Sequence, residues 1–195
     1  VFGVSRTIIR RILLRLSLDK VVELRPNKGA VIATPAAEDV RQIFAARRLL
    51  EIGIIDEACE HCEAADTAAL KGIVARENAA IQSGDRSGAI RLAGEFHVEL
   101  ARVARNRPIQ ELLRQLVAQS SLALALYEAP GHLLCVDDDH IDIITAVSAG
   151  DAAKSRDLMA KHLAKAEAEM KLEAPEDNND LKSVFADVID ARAGV

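Results

Sequence analysis

Apolar residues recur at three- and four-residue intervals along most of the chain, and short turn signals interrupt the pattern at regular distances. From residue 38 onward this spacing predicts helices over about 38–62, 65–84, 86–105, 108–128, 136–148 and 151–173. The breaks between them fall at Ser83-Gly84-Asp85, Asn106-Arg107-Pro108, Ala129-Pro130-Gly131 and Gly150-Asp151. Helices joined by connections this short pack as antiparallel neighbours, so the pattern predicts a bundle of about six helices. Beyond Glu173 the chain turns at Pro175-Glu176-Asp177-Asn178-Asn179. Leu181, Val184, Phe185 and Val188 then offer one more helical stripe, which makes residues 175–195 a tail with a possible helix.

The first 35 residues follow a different pattern. Ser5 stands before Arg6-Thr7-Ile8-Ile9-Arg10-Arg11-Ile12-Leu13-Leu14-Arg15-Leu16, where it can cap free backbone N–H groups, and Ile9, Ile12, Leu13 and Leu16 form one apolar face. Arg6 and Arg10 lie four apart and share a face, with Thr7 beside them near the helix N-terminus. After Asp19-Lys20 come Val21-Val22-Glu23-Leu24-Arg25, the turn Pro26-Asn27-Lys28-Gly29, and Ala30-Val31-Ile32-Ala33, which predict two short strands around a turn. Thr34-Pro35 followed by Glu38-Asp39 marks a linker and a helix start, because proline disfavours helix at the residue before it and acids suit a helix N-terminus. The expected domains are residues 1–35, 36–174 and the tail.

Composition supports a mainly α protein. Half of the 195 residues are hydrophobic while aromatics make up only 3%, with no Trp, which argues against an all-β sandwich or barrel. No stretch approaches the roughly 20 uninterrupted apolar residues of a membrane span, and no signal-peptide pattern is present, so the expected compartment is the cytoplasm. Three cysteines (Cys59, Cys62, Cys135) are too sparse for a disulfide framework and are expected to be reduced.

Charge divides the chain more sharply than composition does. The formal net charge is −5, yet residues 1–34 carry seven basic groups against Asp19 and Glu23, a net of +5, which leaves −10 for the rest. A basic head gains affinity for a phosphate backbone by releasing counterions, and an acidic body is repelled from one.

Residues 3 to 34 resemble the recognition helix and wing of the GntR family. The likeness is carried by Gly3-Val4-Ser5-Arg6-Thr7, Arg10, Leu13, Arg15-Leu16, Val22-Glu23 and Arg25-Pro26-Asn27-Lys28-Gly29-Ala30. It implies that Arg6, Thr7 and Arg10 contact DNA from the helix, that Gly29 lets the wing tip approach the duplex, and that Ser5 and Lys28 are phosphate contacts. Ile8 and Arg11 depart from the family's usual Pro and Glu, and Arg11 adds a positive charge. The family's first helix and most of its second have no counterpart before Val1. The head is therefore expected to be a truncated winged helix-turn-helix, and the sequence a fragment of a longer chain.

His97, His140 and His162 fall on three different predicted helices, and imidazoles on separate helices can converge inside a bundle to hold a metal. From spacing alone, ordinary core or surface histidines are the commoner reading. Residues 38 to 172 further resemble the ligand-binding domain called FCD, found in the FadR subgroup of the same family. The matching segments are Arg47-Arg48-Leu49-Leu50-Glu51, Glu95-Phe96-His97-Val98-Glu99-Leu100, Asn106, Asp139-His140, Ala149-Gly150-Asp151-Ala152 and Leu158-Met159-Ala160-Lys161-His162-Leu163. The resemblance implies that His97, His140 and His162 are ligands of a divalent metal. The acid that many members place one turn before the first histidine falls on Ala93 here, and Glu95 lies about 200° round the helix from His97. Three imidazoles suit Zn²⁺ or Ni²⁺ best, and the open positions would take water or a carboxylate.

Other candidates point less clearly to chemistry. Cys59-Glu60-His61-Cys62 has CxxC spacing without a second CxxC, which fits a helix end. His132 and Cys135 precede His140 in a loop, and Asp137-Asp138-Asp139 suits the capping of the helix that follows. Arg47 is a candidate partner for an effector carboxylate, with a structural ion pair to Glu51, four residues on, as the alternative. The expected function is a homodimeric DNA-binding transcriptional regulator, most simply a repressor, that binds a pseudo-palindromic operator and responds to a small carboxylate metabolite. It is not expected to be an enzyme or to have a membrane partner. The alternatives are a metal-dependent hydrolase and a helical interaction module without a ligand.

Overall fold

The computed structural model describes residues 5–26, 29–127 and 139–172, which fall into two compact units, one within residues 1–35 and one from Ala36 onward. In the first unit, helix α1 (Arg6–Leu18) is followed by strands β1 (Val22–Arg25) and β2 (Gly29–Ile32). The strands pair antiparallel with Val22 opposite Ile32 and Arg25 opposite Gly29. Gly29 takes φ +78°, a left-handed conformation that costs glycine nothing. Ser5 caps α1, its hydroxyl accepting from the Ile8 N–H at 3.4 Å. No residue of α1 is buried: Ile9, Leu13 and Leu16 are half-buried, and Ile8, Ile12, Leu14 and Leu18 are exposed, as is Leu24 on β1. Ile12 thus leaves the apolar face expected for it.

The second unit holds seven helices among the described residues: α2 (Ala37–Gly53), α3 (Ile55–His61), α4 (Ala64–Gln82), α5 (Arg86–Val103), α6 (Arg107–Tyr127), α7 (Asp139–Ser148) and α8 (Ala152–Ala168). Their starts are set by short acceptors: Asp85, Asn106 and Asp151 take the N–H groups of Gly88, Ile109 and Lys154. The predicted helix over 38–62 is two helices. An interior glycine weakens the helix at Gly53, and at Ile54 (φ −95°, ψ −2°) the chain departs from ideal helical geometry and re-aims α3. The last helix stops at Ala168, short of the predicted 173. The predicted tail helix, His132, Cys135 and the start of the 136–148 segment lie outside the described residues.

Helix α5 is central, packing on α4, α6 and α3, while α7 lies against α4 and α8. The main core gathers Ile54, Ile55, Leu70, Leu92, Phe96, Leu100, Leu113, Ile143, Ile144, Met159 and Leu163, and a second cluster joins Val40, Phe44, Ala123, Leu124, Tyr127 and Met170. The guanidinium of Arg86 donates to the Leu124 and Ala125 carbonyls at 3.0 and 3.2 Å, tying the start of α5 to the last described turn of α6. No helix among the described residues is long and apolar enough to cross a membrane.

Gly94 sets how closely α5 and α6 approach. A Cβ there would lie 2.8 Å from Val117 Cγ1 and 3.2 Å from Ser121 Oγ. Valine is stiff at χ1 and cannot move aside cheaply. Gly94→Ala should therefore destabilise the bundle by about 1–3 kcal/mol despite its gain in helix propensity, as read by chemical denaturation.

Candidate functional site

The head residues singled out from the sequence lie together at the start of α1. Arg6, Thr7 and Arg10 are exposed, Ser5 is the cap, and Gly29 is exposed at the start of β2, while Lys28 lies outside the described residues. Arg6, Arg10 and Arg11 form no ion pair among the described residues, whereas Arg15 pairs with Asp19 and Arg25 with Glu23. Arginines of the second unit are mostly neutralised, with Arg41, Arg48, Arg76, Arg91, Arg102, Arg105, Arg107 and Arg156 all paired to carboxylates. Unspent positive charge on an exposed helix is available to an outside polyanion.

In the second unit the three histidines converge. His97 comes from α5, His140 from the first turn of α7 and His162 from α8, and all three are buried. His162 Nε2 lies 3.2 Å from His140 Nε2 and 3.2 Å from His97 Nε2. Phe96 packs beside the rings, its centroid 4.1 Å from that of His140.

The opposite edge of each ring faces a carboxylate. Glu51 Oε2 is 2.5 Å from His97 Nδ1, approaching off the line of a good hydrogen bond, Glu77 Oε2 is 2.9 Å from His140 Nδ1, and Asp139 Oδ2 is 3.5 Å from His162 Nδ1. Burial pushes the His97 imidazole down to about 3, aided by Arg47 and His162 and opposed by Glu51. Burial lowers His162 as well, against the pull of Asp139. Burial would raise the Glu51 carboxyl, but the charge of Arg47 and the contact with His97 outweigh it and hold the group at about 2. The hydrogen bond from His162, with Lys165 beside it, holds Asp139 at about 2. His97 and His162 are thus disposed to be neutral ligands near pH 7.

Arg47 takes the structural role considered for it. Its Nε donates to Glu51 Oε1 at 2.7 Å and its Nη1 to Ser120 Oγ at 3.0 Å, so the structural ion pair exists. Its Nη2 is buried with no acceptor among the described residues.

The cluster fits a metal ion by its own geometry. His97, His140 and His162 each offer a ring nitrogen within 4.8 Å of the others. A tetrahedral ion with metal–nitrogen bonds of 2.0–2.1 Å sets its ligands about 3.3 Å apart, close to the two 3.2 Å separations from His162 Nε2. Each ring turns Nδ1 toward a carboxylate and Nε2 toward the other rings, an arrangement that suits a cation between the Nε2 atoms. Ala93, at the family's acid position, is half-buried and offers no ligand.

Sequence spacing does not single out Glu77, and it marks Glu51 and Asp139 only as an ion-pair partner and a capping residue. A signal for the glutamates exists: each interrupts an apolar stripe, Glu77 within Leu70, Ile73, Val74 and Ala80, and Glu51, with Arg47, within Val40, Ile43, Phe44 and Ile54. Cys59 and Cys62 are free half-buried thiols at the end of α3, as expected of a helix end.

The depressed His97 fixes the sign of an acid effect. Below its ordinary value of 6.5 the unfolded chain protonates this ring, while the folded chain, without a metal, resists until about 3. The unfolded state then binds more protons, so stability falls as pH falls through that window. Chelator-treated protein should melt at progressively lower temperature from about pH 7 to about pH 4. A melting temperature that rises on acidification would contradict the assignment.

Comparison with known proteins places this geometry in a family. The FCD domain model matches residues 42–165, which contain all three histidines and Arg47. The Uxu operon regulator of Haemophilus influenzae is 29% identical over 181 residues, covering 83% of this chain, and this chain spans 66% of that protein's length. The HTH-type transcriptional regulator LutR of Bacillus subtilis is 27% identical over 190 residues, covering 85% of this chain and 84% of its own. A solved GntR transcriptional regulator from a Rhodococcus species shares the fold at TM-score 0.71 and 23% identity, over 85% of this chain and 79% of its own. The chain belongs to the FCD domain family, as carried by transcriptional regulators of the GntR type.

Proposed function

We propose that this chain is part of a homodimeric transcriptional repressor whose operator binding is controlled by a small carboxylate metabolite held at a metal site in the helical unit. The observation that carries this reading is the union, in one chain, of a helix whose exposed Arg6, Arg10 and Arg11 have no ion-pair partner among the described residues and a bundle whose buried imidazoles meet at one point. Regulator names among the relatives support it. In the head, Arg6, Thr7 and Arg10 reach base edges and phosphates, and Ser5, Lys28 and Gly29 bring backbone and side chain to the phosphates. Such a protein works in the cytoplasm and catalyses no reaction.

In the helical unit His97, His140 and His162 hold Zn²⁺ or Ni²⁺, which when bound supplies a Lewis-acidic site for a carboxylate oxygen. Arg47 complements it: a buried guanidinium N–H without an acceptor is costly, and a ligand carboxylate removes that cost. Ligand bound there shifts a two-state equilibrium between spaced and misaligned heads. The hydrolase alternative is disfavoured because Glu51 and Glu77 stand behind the rings at Nδ1 rather than at the Nε2 face where a general base would act.

Mobility-shift titration of the full-length protein against its own upstream DNA tests the head. Arg10→Ala should weaken binding and reduce the slope of log affinity against log salt by about one. Sequence-selective binding that is indifferent to salt, or none by the parent protein, would refute the assignment. For the sensor, His162→Ala should lower the zinc or nickel content of dialysed protein from about one ion per chain to a small fraction, read by elemental analysis. Arg47→Ala should keep the metal and lose the thermal shift produced by small organic acids.

A further inference from the structure

The acids around the histidine cluster come from helices chosen neither by proximity in sequence nor by a shared motif. Glu51 belongs to α2, Glu77 to α4 and Asp139 to α7, while the rings they face belong to α5, α7 and α8. Each acid meets Nδ1 and none meets Nε2. Glu77 is the clearest case. Its helix otherwise presents Leu70, Ile73, Val74 and Ala80 to the core, its own side chain is only 2% exposed, and His140 is its sole polar partner among the described residues.

A carboxylate taken out of water needs a compensating donor, and an ionised carboxylate can only accept. At His140, which makes a 2.9 Å hydrogen bond to Glu77, this favours the proton at Nδ1 and the lone pair at Nε2, and Glu51 and Asp139 face Nδ1 of the other two rings in looser geometry. Repeated at three rings, this choice turns three lone pairs toward one point, where two of the three Nε2 separations are 3.2 Å. A ligand set of three neutral imidazoles also carries no charge of its own, and Ala93 adds none.

Resting on the metal reading above, we propose that Glu51, Glu77 and Asp139 are positioning residues. They lock the rings in the Nδ1–H tautomer, aim Nε2 inward, and supply from behind the negative charge that the ligand set lacks. Their strengths differ. Glu77 is fully buried and devoted to His140, Glu51 is shared with Arg47, and Asp139 stands at 3.5 Å, is partly exposed and is shared with Lys165. Glu77 is accordingly the strongest contributor and Asp139 the weakest.

Nitrogen-15 labelling of the histidines in metal-stripped full-length protein, with long-range proton–nitrogen correlation, reads each tautomer directly. The parent should show all three cluster rings protonated at Nδ1. Glu77→Ala should shift His140 toward the Nε2–H form, and Glu77→Gln, which keeps an acceptor oxygen, should restore Nδ1–H. Zinc affinity, measured by competition with a chromophoric chelator, should fall about 10- to 100-fold in Glu77→Ala, less in Glu77→Gln, and least in Asp139→Asn. A purely structural role would lower the melting temperature without moving the tautomer. Parent His140 protonated at Nε2 would overturn the proposal. So would a folded Glu77→Ala protein that binds zinc within about twofold of the parent. Should Glu77→Ala not fold, the Gln and Asn variants decide. A parent that takes up no zinc sinks the metal reading, while the tautomer spectrum still decides whether the carboxylates set the rings.

Discussion

Placing three imidazole rings in the middle of a helical bundle commits six ring nitrogens to finding partners without water, and much of the second unit is arranged around that demand. Three nitrogens face carboxylates from α2, α4 and α7, and the other three face one another. The carboxylates in turn need answers: Glu51 has Arg47, Asp139 has Lys165, and Arg47 leans on Ser120 of α6. Six helices thus send polar atoms into one connected network through an otherwise apolar core. Such a network is stabilising when satisfied and costly when broken, so the helices cannot slide independently.

The parts of this arrangement visible in the sequence are those governed by local spacing. Turn signals at Ser83-Gly84 and Gly150-Asp151 mark real helix boundaries, because glycine takes positive φ at both places. The break at Gly53 was not legible, since the apolar pattern runs on through Ile54 and Ile55, both buried, and only a change of axis separates the two helices. The histidines were legible through family likeness. Their partners were not, because helical spacing reveals neighbours on the same helix, whereas Glu77 meets a ring 63 residues away. What the sequence does contain is an anomaly, a glutamate at a position where the stripe calls for an apolar residue. Arg47 and Glu51 form a second anomaly, one that four-residue spacing resolves only as an ion pair.

Electrostatics distinguishes the two units as clearly as their folds do. Most surface arginines of the bundle are tied to carboxylates, as in Arg102 with Asp66 and Glu99, or Arg105 with Glu63. Exposed pairs of this kind add little stability, but they cancel charge that would otherwise recruit polyanions without selectivity. Arg6, Arg10 and Arg11 on α1 have no such partner among the described residues. Positive charge without a carboxylate partner is thereby concentrated on α1, while the rest of the chain is acidic overall.

The link from Ser120 through Arg47 and Glu51 to His97 has an evolutionary consequence. Because Glu51 is held by Arg47 on one side and faces His97 on the other, the effect of changing any one of the three depends on the other two. Loss of the arginine leaves a bare carboxylate beside the ring, and loss of the glutamate leaves a bare guanidinium in the core. Relatives that abandon the histidine should therefore be free to abandon the pair only together, and this trio should drift across the family as one epistatic block.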